Sequence, residues 1–362
     1  MSITQEAVSA AIESIVDPYL GRDLVSAGAV KEIEVEGDSV RVAIELGFPV
    51  ARYAAELEES LRAPIQALGD NIAVEFDIRA NIVAHAVQQG AKRLSEVRNV
   101  IAVASGKGGV GKSTTSTNVA LALRDEGANV AILDADIYGP SQPRMLGAQG
   151  KPESRDGQSM EPIVSYGIQS MSIGNLIEED TPMIWRGPMV TGALEQLLND
   201  TNWTDVDYLI IDLPPGTGDI QLTLCQKIPV SGAIIVTTPQ DIALLDARRA
   251  LKMFEKVDVP VFGVIENMSV HICSQCGHEE HIFGAGGGES MARQYDIDLL
   301  GSLPLDAQIR EGMDGGRPIV ALLPDSRPSQ MYRAIARRTA AKLAVRGKDY
   351  SAKFPNIVVQ NT

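Results

Sequence analysis

Apolar positions near the start of the chain recur with two different periods. Val8, Ile12 and Ile15 fall four and three apart, which predicts a helix from a Thr4 cap to about Val16. Residues 29–35 and 40–46 alternate apolar and polar around Gly37-Asp38, the signature of a β-hairpin. A helical stretch follows over about 51–68, and then Ile72, Val74, Phe76 and Ile78 alternate once more. The order αββαβ predicts a small α+β domain over residues 1–97.

From Asn99 the texture changes. Short, wholly apolar runs at 100–104, 130–133, 208–211, 233–236, 261–265 and 299–300 alternate with helical segments. Runs apolar on both faces, joined by long crossovers, predict a parallel sheet covered by helices on each side. This α/β domain is expected over residues 98–345, its last helix at about 329–345. Residues 148–160 read as an exposed polar loop and 346–362 as a C-terminal tail.

Composition sharpens the picture. Acids outnumber bases 47 to 32, a formal net charge of −15. The first 97 residues carry 16 acids and 8 bases, over half of that excess. Such a balance argues against a general nucleic-acid binder, which needs a basic footprint. No apolar run reaches 18 residues, and MSITQEAVSAAIESIVD lacks the basic start of a signal peptide, so neither a membrane span nor secretion is expected. Three cysteines cannot build a disulfide framework, and a reducing cytoplasm is the expected compartment.

The first chemical motif follows the strand at 100–104. Gly106-Lys107-Gly108-Gly109-Val110-Gly111-Lys112-Ser113-Thr114 is a G-x-x-x-x-G-K-S phosphate loop between a strand and a helix predicted over 111–124. Glycines let successive N–H groups turn inward around a phosphate, and the helix N-terminus adds its positive end. Lys112 reaches the β- and γ-phosphates, and Ser113 supplies an oxygen to Mg²⁺. Asp134 and Asp136 follow the strand at 130–133, and Asp212 ends the strand at 208–211; all three fall on the ligand-bearing edge of such a sheet. Asp212 reads as the acid that holds Mg²⁺ through water. Pro214-Pro215-Gly216 stiffens the loop after it, with the Gly216 N–H available to a γ-phosphate.

Lys107 is not needed to hold the phosphates of its own chain. The pattern K-G-G-x-G-K-S resembles the deviant P-loop ATPases, which include MinD, ParA, ArsA and nitrogenase iron protein. The resemblance implies that Lys107 crosses a dimer interface to the partner's nucleotide, a lysine counterpart of an arginine finger. It also implies that Asp136 helps position the attacking water, that Asp134 holds the loop or the Mg²⁺ shell, and that Asn267 reads the adenine edge. Pro239 and Gln240 would flank the base.

The second motif is Cys273-Ser274-Gln275-Cys276-Gly277-His278, with His271 and His281 close by. C-x-x-C sets two thiolates on one metal, and Gly277 permits the tight knuckle turn. Two thiolates are half a coordination set. From spacing alone zinc is the default, held with the histidines in one chain or shared between two; a [4Fe–4S] cluster completed by a second copy about a two-fold axis is the alternative. Cys225, in an apolar helical stretch, reads as a small buried hydrophobe.

Taken together, KGGVGKS, DADIYGPS, DLPPGTGD, TTPQDIALLDARRA and ENMSVHICSQCGHEEHIFG resemble the Mrp/ApbC iron–sulfur carrier ATPases over about residues 98–345. The resemblance implies a homodimer whose paired Cys273 and Cys276 hold a transferable [4Fe–4S] cluster for apo-protein clients, with ATP as the switch and hydrolysis slow. The first domain resembles the iron–sulfur-assembly-associated domain often fused to these proteins, through Asp17-Pro18 and the hairpin. That domain often carries a Cys after its second strand; here no Cys precedes residue 225, so docking of a client or scaffold protein is the expected role. The rival reading is a MinD- or ParA-like positioning switch with a structural zinc knuckle. The acidic balance and the lack of a terminal basic amphipathic helix weigh against it.

Overall fold

The computed structural model describes residues 3–88, 91–177, 187–273 and 275–347, with the side chains of residues 187 and 188 set aside. Most of the predicted tail therefore lies outside the described residues. The first unit runs α1 (Gln5–Glu13), β1 (Val30–Glu36), β2 (Ser39–Leu46), α2 (Tyr53–Gln66) and β3 (Ala73–Ala80), the predicted αββαβ order. Thr4 caps α1, its hydroxyl accepting from the Ala7 N–H at 3.2 Å. The hairpin strands β1 and β2 pair antiparallel, while β3 joins β2 in parallel. Val40, Val42, Ile44 and Leu46 all point from β2 into the core, the face that the alternation selects.

The second unit contains β4 (Val97–Ala104), α3 (Lys112–Asp125), β5 (Val130–Asp134), α4 (Gln142–Met145), β6 (Ile163–Ser165), β7 (Ile168–Ser172), α5 (Gly187–Asn199), β8 (Val206–Asp212), α6 (Asp219–Lys227), β9 (Gly232–Thr237), α7 (Asp241–Lys256), β10 (Val261–Ile272), β11 (Glu279–Glu280), α8 (Gly287–Tyr295), β12 (Asp298–Leu305), α9 (Ala307–Asp314), α10 (Ile319–Leu322) and α11 (Arg327–Ala344). Among the described residues one nine-stranded sheet runs β11-β10-β9-β4-β8-β5-β7-β6, with β12 also on β10. Its centre is parallel; β6 and β11 pair antiparallel at the two ends. Among the described residues no helix is long and apolar enough to cross a membrane.

The six apolar runs each became a strand, but β10 and β12 outgrow theirs. β10 continues through Glu266, Asn267 and Ser269, polar residues that hide a strand from a hydrophobicity reading. Met268 at φ 56° and a register irregularity between Glu266 and Val270 accommodate them. The short β6, β7 and β11 lacked a long enough pattern to be recognised.

One hydrophobic core extends from the first sheet, through Phe48 and Tyr53, to α3 and α11 on one face of the large sheet. The polar seam in this contact centres on Glu126, the cap residue after α3. Its fully buried carboxylate accepts from the Arg52 and Tyr53 backbone N–H groups at 3.0 and 3.1 Å, at the start of α2. Arg337 of α11 bonds the other oxygen at 2.8 Å, reaches Glu56 at 3.0 Å, and lies over the Tyr53 ring at 5.0 Å. Removing one partner of a buried ion pair strands the other charge. Arg337→Ala is expected to cost about 3–5 kcal/mol in unfolding free energy, read as a lowered urea midpoint; an unchanged midpoint would show that the seam adds nothing net.

Candidate nucleotide site and thiol knuckle

The phosphate loop joins the C-terminal end of β4 to the N-terminus of α3 at the centre of the sheet. Two glycines there answer to specific crowding. A Cβ at Gly106 would stand 2.1 Å from the Asp246 backbone of α7. At Gly111, where φ is 82°, it would stand 2.1 Å from Asn267 Nδ2. Gly111 is also the N-cap of α3, so the loop amides and the helix end face the same space, the arrangement that attracts a phosphate. Gly108, Gly109 and Val110 complete the loop, while Ser113 and Thr114 begin the helix.

Behind the loop lies a buried ionic knot. Lys112 is 6 % exposed and Asp212 fully buried, with Lys112 Nζ 2.5 Å from Asp212 Oδ1. Lys112 also donates to the Ser113 hydroxyl at 3.2 Å. The Ser116 hydroxyl donates to Asp212 Oδ1 at 2.8 Å, and Gln142 Nε2 donates to Oδ2 at 3.0 Å. Gln142 further donates to the Ser113 carbonyl at 3.2 Å and accepts from Thr117 Oγ1 at 2.7 Å. Sequence reasoning passed over Ser116 and Gln142. One signal was available for Ser116, which lies four residues after Lys112 on the same helix face; Gln142 reaches the knot only because α4 folds back onto α3.

Asp134 is fully buried beside this knot. It accepts from the Asp136, Ser141 and Gln142 N–H groups at 3.1, 2.9 and 3.1 Å, and from the Ser172 hydroxyl at 3.1 Å. Of the two roles expected for it, holding the loop is the one these bonds perform. Burial, and then the Asp212 charge, push its carboxyl above the ordinary range. Burial also raises Asp136, partly offset by Lys112. Asp136 is only half-buried and keeps a path to solvent.

Three expected contacts take a different local form. Asn267 lies within β10 rather than after it, and its Nδ2 donates to the Val110 carbonyl at 2.9 Å, with no hydrogen bond to its Oδ1 among the described residues. The Gly216 N–H donates to the Ser105 carbonyl at 2.9 Å, so meeting a phosphate requires that bond to open. Gln240 is the N-cap position of α7, beside Pro239. Lys107 is half-exposed and, among the described residues, makes no ion pair.

The cysteine pair stands at the far end of β10. Cys273 follows the strand directly, and β11 returns antiparallel against His271 and Ile272. The turn is closed by the Gly277 N–H on the Cys273 carbonyl and the Cys273 N–H on the His278 carbonyl, each at 2.9 Å, with Gly277 at φ 71°. Ser274 lies outside the described residues. Cys276 is exposed and Cys273 half-buried. His271 and His281 each set Nδ1 against a backbone carbonyl, of Leu305 at 3.2 Å and of Ser269 at 2.7 Å. Among the described residues no three His, Cys, Asp or Glu side chains converge to hold a metal ion. Cys225 is wholly buried, and burial pushes its thiol up to about 12.

Comparison with known proteins agrees with this geometry. Residues 96–340 match the family model described as NUBPL iron-transfer P-loop NTPase, and residues 5–76 match that of the iron–sulfur cluster assembly protein. The chain is 48% identical over 342 residues to the iron–sulfur cluster carrier protein of Escherichia coli strain K12, covering 94% of this chain and 93% of that one. It is 51% identical over 254 residues to the iron–sulfur cluster transfer protein NUBPL of Mus musculus, covering 70% and 80%. Among solved structures, a nucleotide-binding protein of Archaeoglobus fulgidus in complex with ADP aligns with a TM-score of 0.56 and 36% identity, over 65% of this chain and 91% of that one.

The knuckle makes its own chemical forecast. The backbone N–H of Gln275, then the N–H and thiol of Cys276, donate toward the Cys273 sulfur and lower its pKa from the ordinary thiol value. Since the thiolate is the nucleophile, iodoacetamide should alkylate Cys273 at a pH where an ordinary thiol is protonated. Peptide mass spectrometry on reduced, metal-free protein should place the pH midpoint below that of a free cysteine, and Cys276→Ala should raise it. An unshifted midpoint would contradict the turn described here.

Proposed function

This chain belongs to the NUBPL iron-transfer P-loop NTPase family, and on that footing we propose that it is an ATP-dependent carrier that binds a [4Fe–4S] cluster and passes it to apo-proteins. The observation that carries the proposal is the position of β10. The middle of this strand meets the phosphate loop, through Asn267, and its C-terminal end leads into Cys273 and Cys276. The six residue steps from Asn267 to Cys273 cover at most about 20 Å at strand rise. Nucleotide and cluster thus act on a single backbone element.

The thiol pair supplies two ligands of the four that a [4Fe–4S] cargo takes. Among the described residues no third His, Cys, Asp or Glu converges with the pair to hold a metal, and a second copy is the natural source of the other two. The carrier is accordingly read as a homodimer with the cluster on its two-fold axis. An exposed site of this kind suits cargo that must leave. The cytoplasm, where thiols stay reduced, is the assigned compartment, and no nucleic acid or membrane partner is assigned.

ATP hydrolysis in this reading is positioning plus charge stabilisation. The amides of residues 106–114 receive the phosphates. Lys112 then exchanges its bond to Asp212 for one to the β- and γ-oxygens. Ser113 and Asp212 offer the hydroxyl and carboxylate oxygens that suit Mg²⁺, whose charge would compensate Asp212 and the phosphates. Asp136, half-buried and raised by burial, orients the attacking water, and Asn267 Oδ1 faces the adenine edge. Lys107 reaches the partner's nucleotide, so turnover waits for the dimer and is slow. Opening the Gly216–Ser105 bond to meet the γ-phosphate makes the loop after β8 the switch. The N-terminal domain docks clients or the assembly scaffold.

Lys107→Ala should lower phosphate release by about 10³-fold while equilibrium ATP binding is largely kept; normal turnover would remove the trans role. Cys273→Ser and Cys276→Ser should each lose iron after anaerobic reconstitution, by visible spectra and metal analysis, with ATP binding kept. If the unaltered protein stays colourless, holds stoichiometric zinc and remains a monomer with a non-hydrolysable ATP analogue, the carrier reading fails.

A further inference from the structure

The described surface of this acidic protein includes a groove of about 390 Å³ with four cationic side chains in its lining. Arg248, Arg249, Lys252 and Lys256 come from α7, and Thr217, Gly218 and Asp219 from the end of the switch loop form the facing wall. Leu222 and Met253 also line it. Arg249 is paired with Asp246 at 2.9 Å and Lys252 with Glu255 at 2.7 Å. Asp219, in the first turn of α6, is the one acid in the lining. Arg248 and Lys256 have no ion pair among the described residues. The Arg248 Nε is buried and lacks a hydrogen-bond partner. A native protein rarely leaves such a donor unused, and the usual reason is a ligand or water.

From these features we infer that the groove docks an extended acidic segment of a partner protein. Length decides the kind of anion. Arg248, Lys252 and Lys256 stand at successive turns of one helix face, so the row spans about 12 Å. A single phosphate cannot touch both ends. An extended peptide covers that span in about four residues, its carboxylates meeting the row and its aliphatic stems meeting Leu222 and Met253. A single-stranded nucleic acid matches the row in charge, but no lining residue is aromatic, so its bases find no stacking platform. A segment seated here touches the switch loop directly. The inference does not depend on the thiol pair, so it is tested on cluster-free protein and stands or falls apart from the carrier reading.

The probe is fluorescein-labelled hexaglutamate, titrated with the full chain and followed by anisotropy at about 0.15 M salt, near physiological ionic strength. Arg248→Glu combined with Lys256→Glu should weaken binding at least tenfold while circular dichroism and ATP affinity stay unchanged. Lys256→Gln alone should give a smaller loss in the same direction, and it serves if the double variant does not fold. Unlabelled oligothymidylate and pyrophosphate, at equal charge, should displace the peptide poorly. Equal binding by the variants, no binding by the unaltered protein, or efficient displacement by either competitor overturns the assignment.

Discussion

A fully buried carboxylate, Asp212, organises the centre of this molecule. A charge at that depth is tolerated only with compensation, and here one ammonium, one hydroxyl and one amide supply it. Those donors come from α3 and α4, so satisfying a single carboxylate ties β8, the phosphate loop and the α4 segment into one register. Asp134 does the same for the chain between β5 and α4. Two like charges this close raise the energy of the knot, and Lys112 is its only cation among the described contacts. Whatever draws Lys112 away must bring positive charge or loosen the packing. Under the proposed function a phosphate arriving with Mg²⁺ meets that constraint.

Two rigid elements carry the consequence outward. α3 starts at the phosphate loop and, 14 residues on, hands its end to Glu126, which grips the start of α2. At about 1.5 Å per residue the helix is a rod of about 21 Å between the nucleotide site and the N-terminal domain. β10 is the second, joining the loop to the knuckle. The hydrophobic core that runs without a break from the first sheet to α11 leaves little freedom for either element to move alone.

The thiol knuckle is built on the opposite principle. Its residues from Gln275 to Gly284 are mostly exposed, its turn is held by two backbone bonds, and its sulfurs compete with nothing buried. A cargo site placed there exchanges with solvent and partners at low cost. At the candidate nucleotide site, by contrast, Lys112, Asp134 and Asp212 are buried and Asp136 is half-buried. The cationic row on α7 stands beside the loop after β8, so the proposed partner groove and the proposed nucleotide switch share that loop.

The αββαβ order, the central parallel strands, the phosphate loop and the cysteine pair were all legible in the chain, because each rests on local periodicity or on glycines and ligands at fixed spacing. Lys112 and Asp212 were legible as separate members of motifs 100 residues apart. Their direct bond, and the insertion of Gln142 and Ser116 around it, exist only because β4 and β8 lie side by side and α4 folds back across α3. Asn267 could be named as a site residue, yet its hold on Val110 depends on a strand that runs on through polar positions no periodicity marks. The seam of Arg337, Glu126 and Glu56 joins residues more than 200 positions apart. Long-range charge pairing of that kind leaves no trace in local sequence, since any exposed Arg or Glu looks the same until the fold removes the water around it.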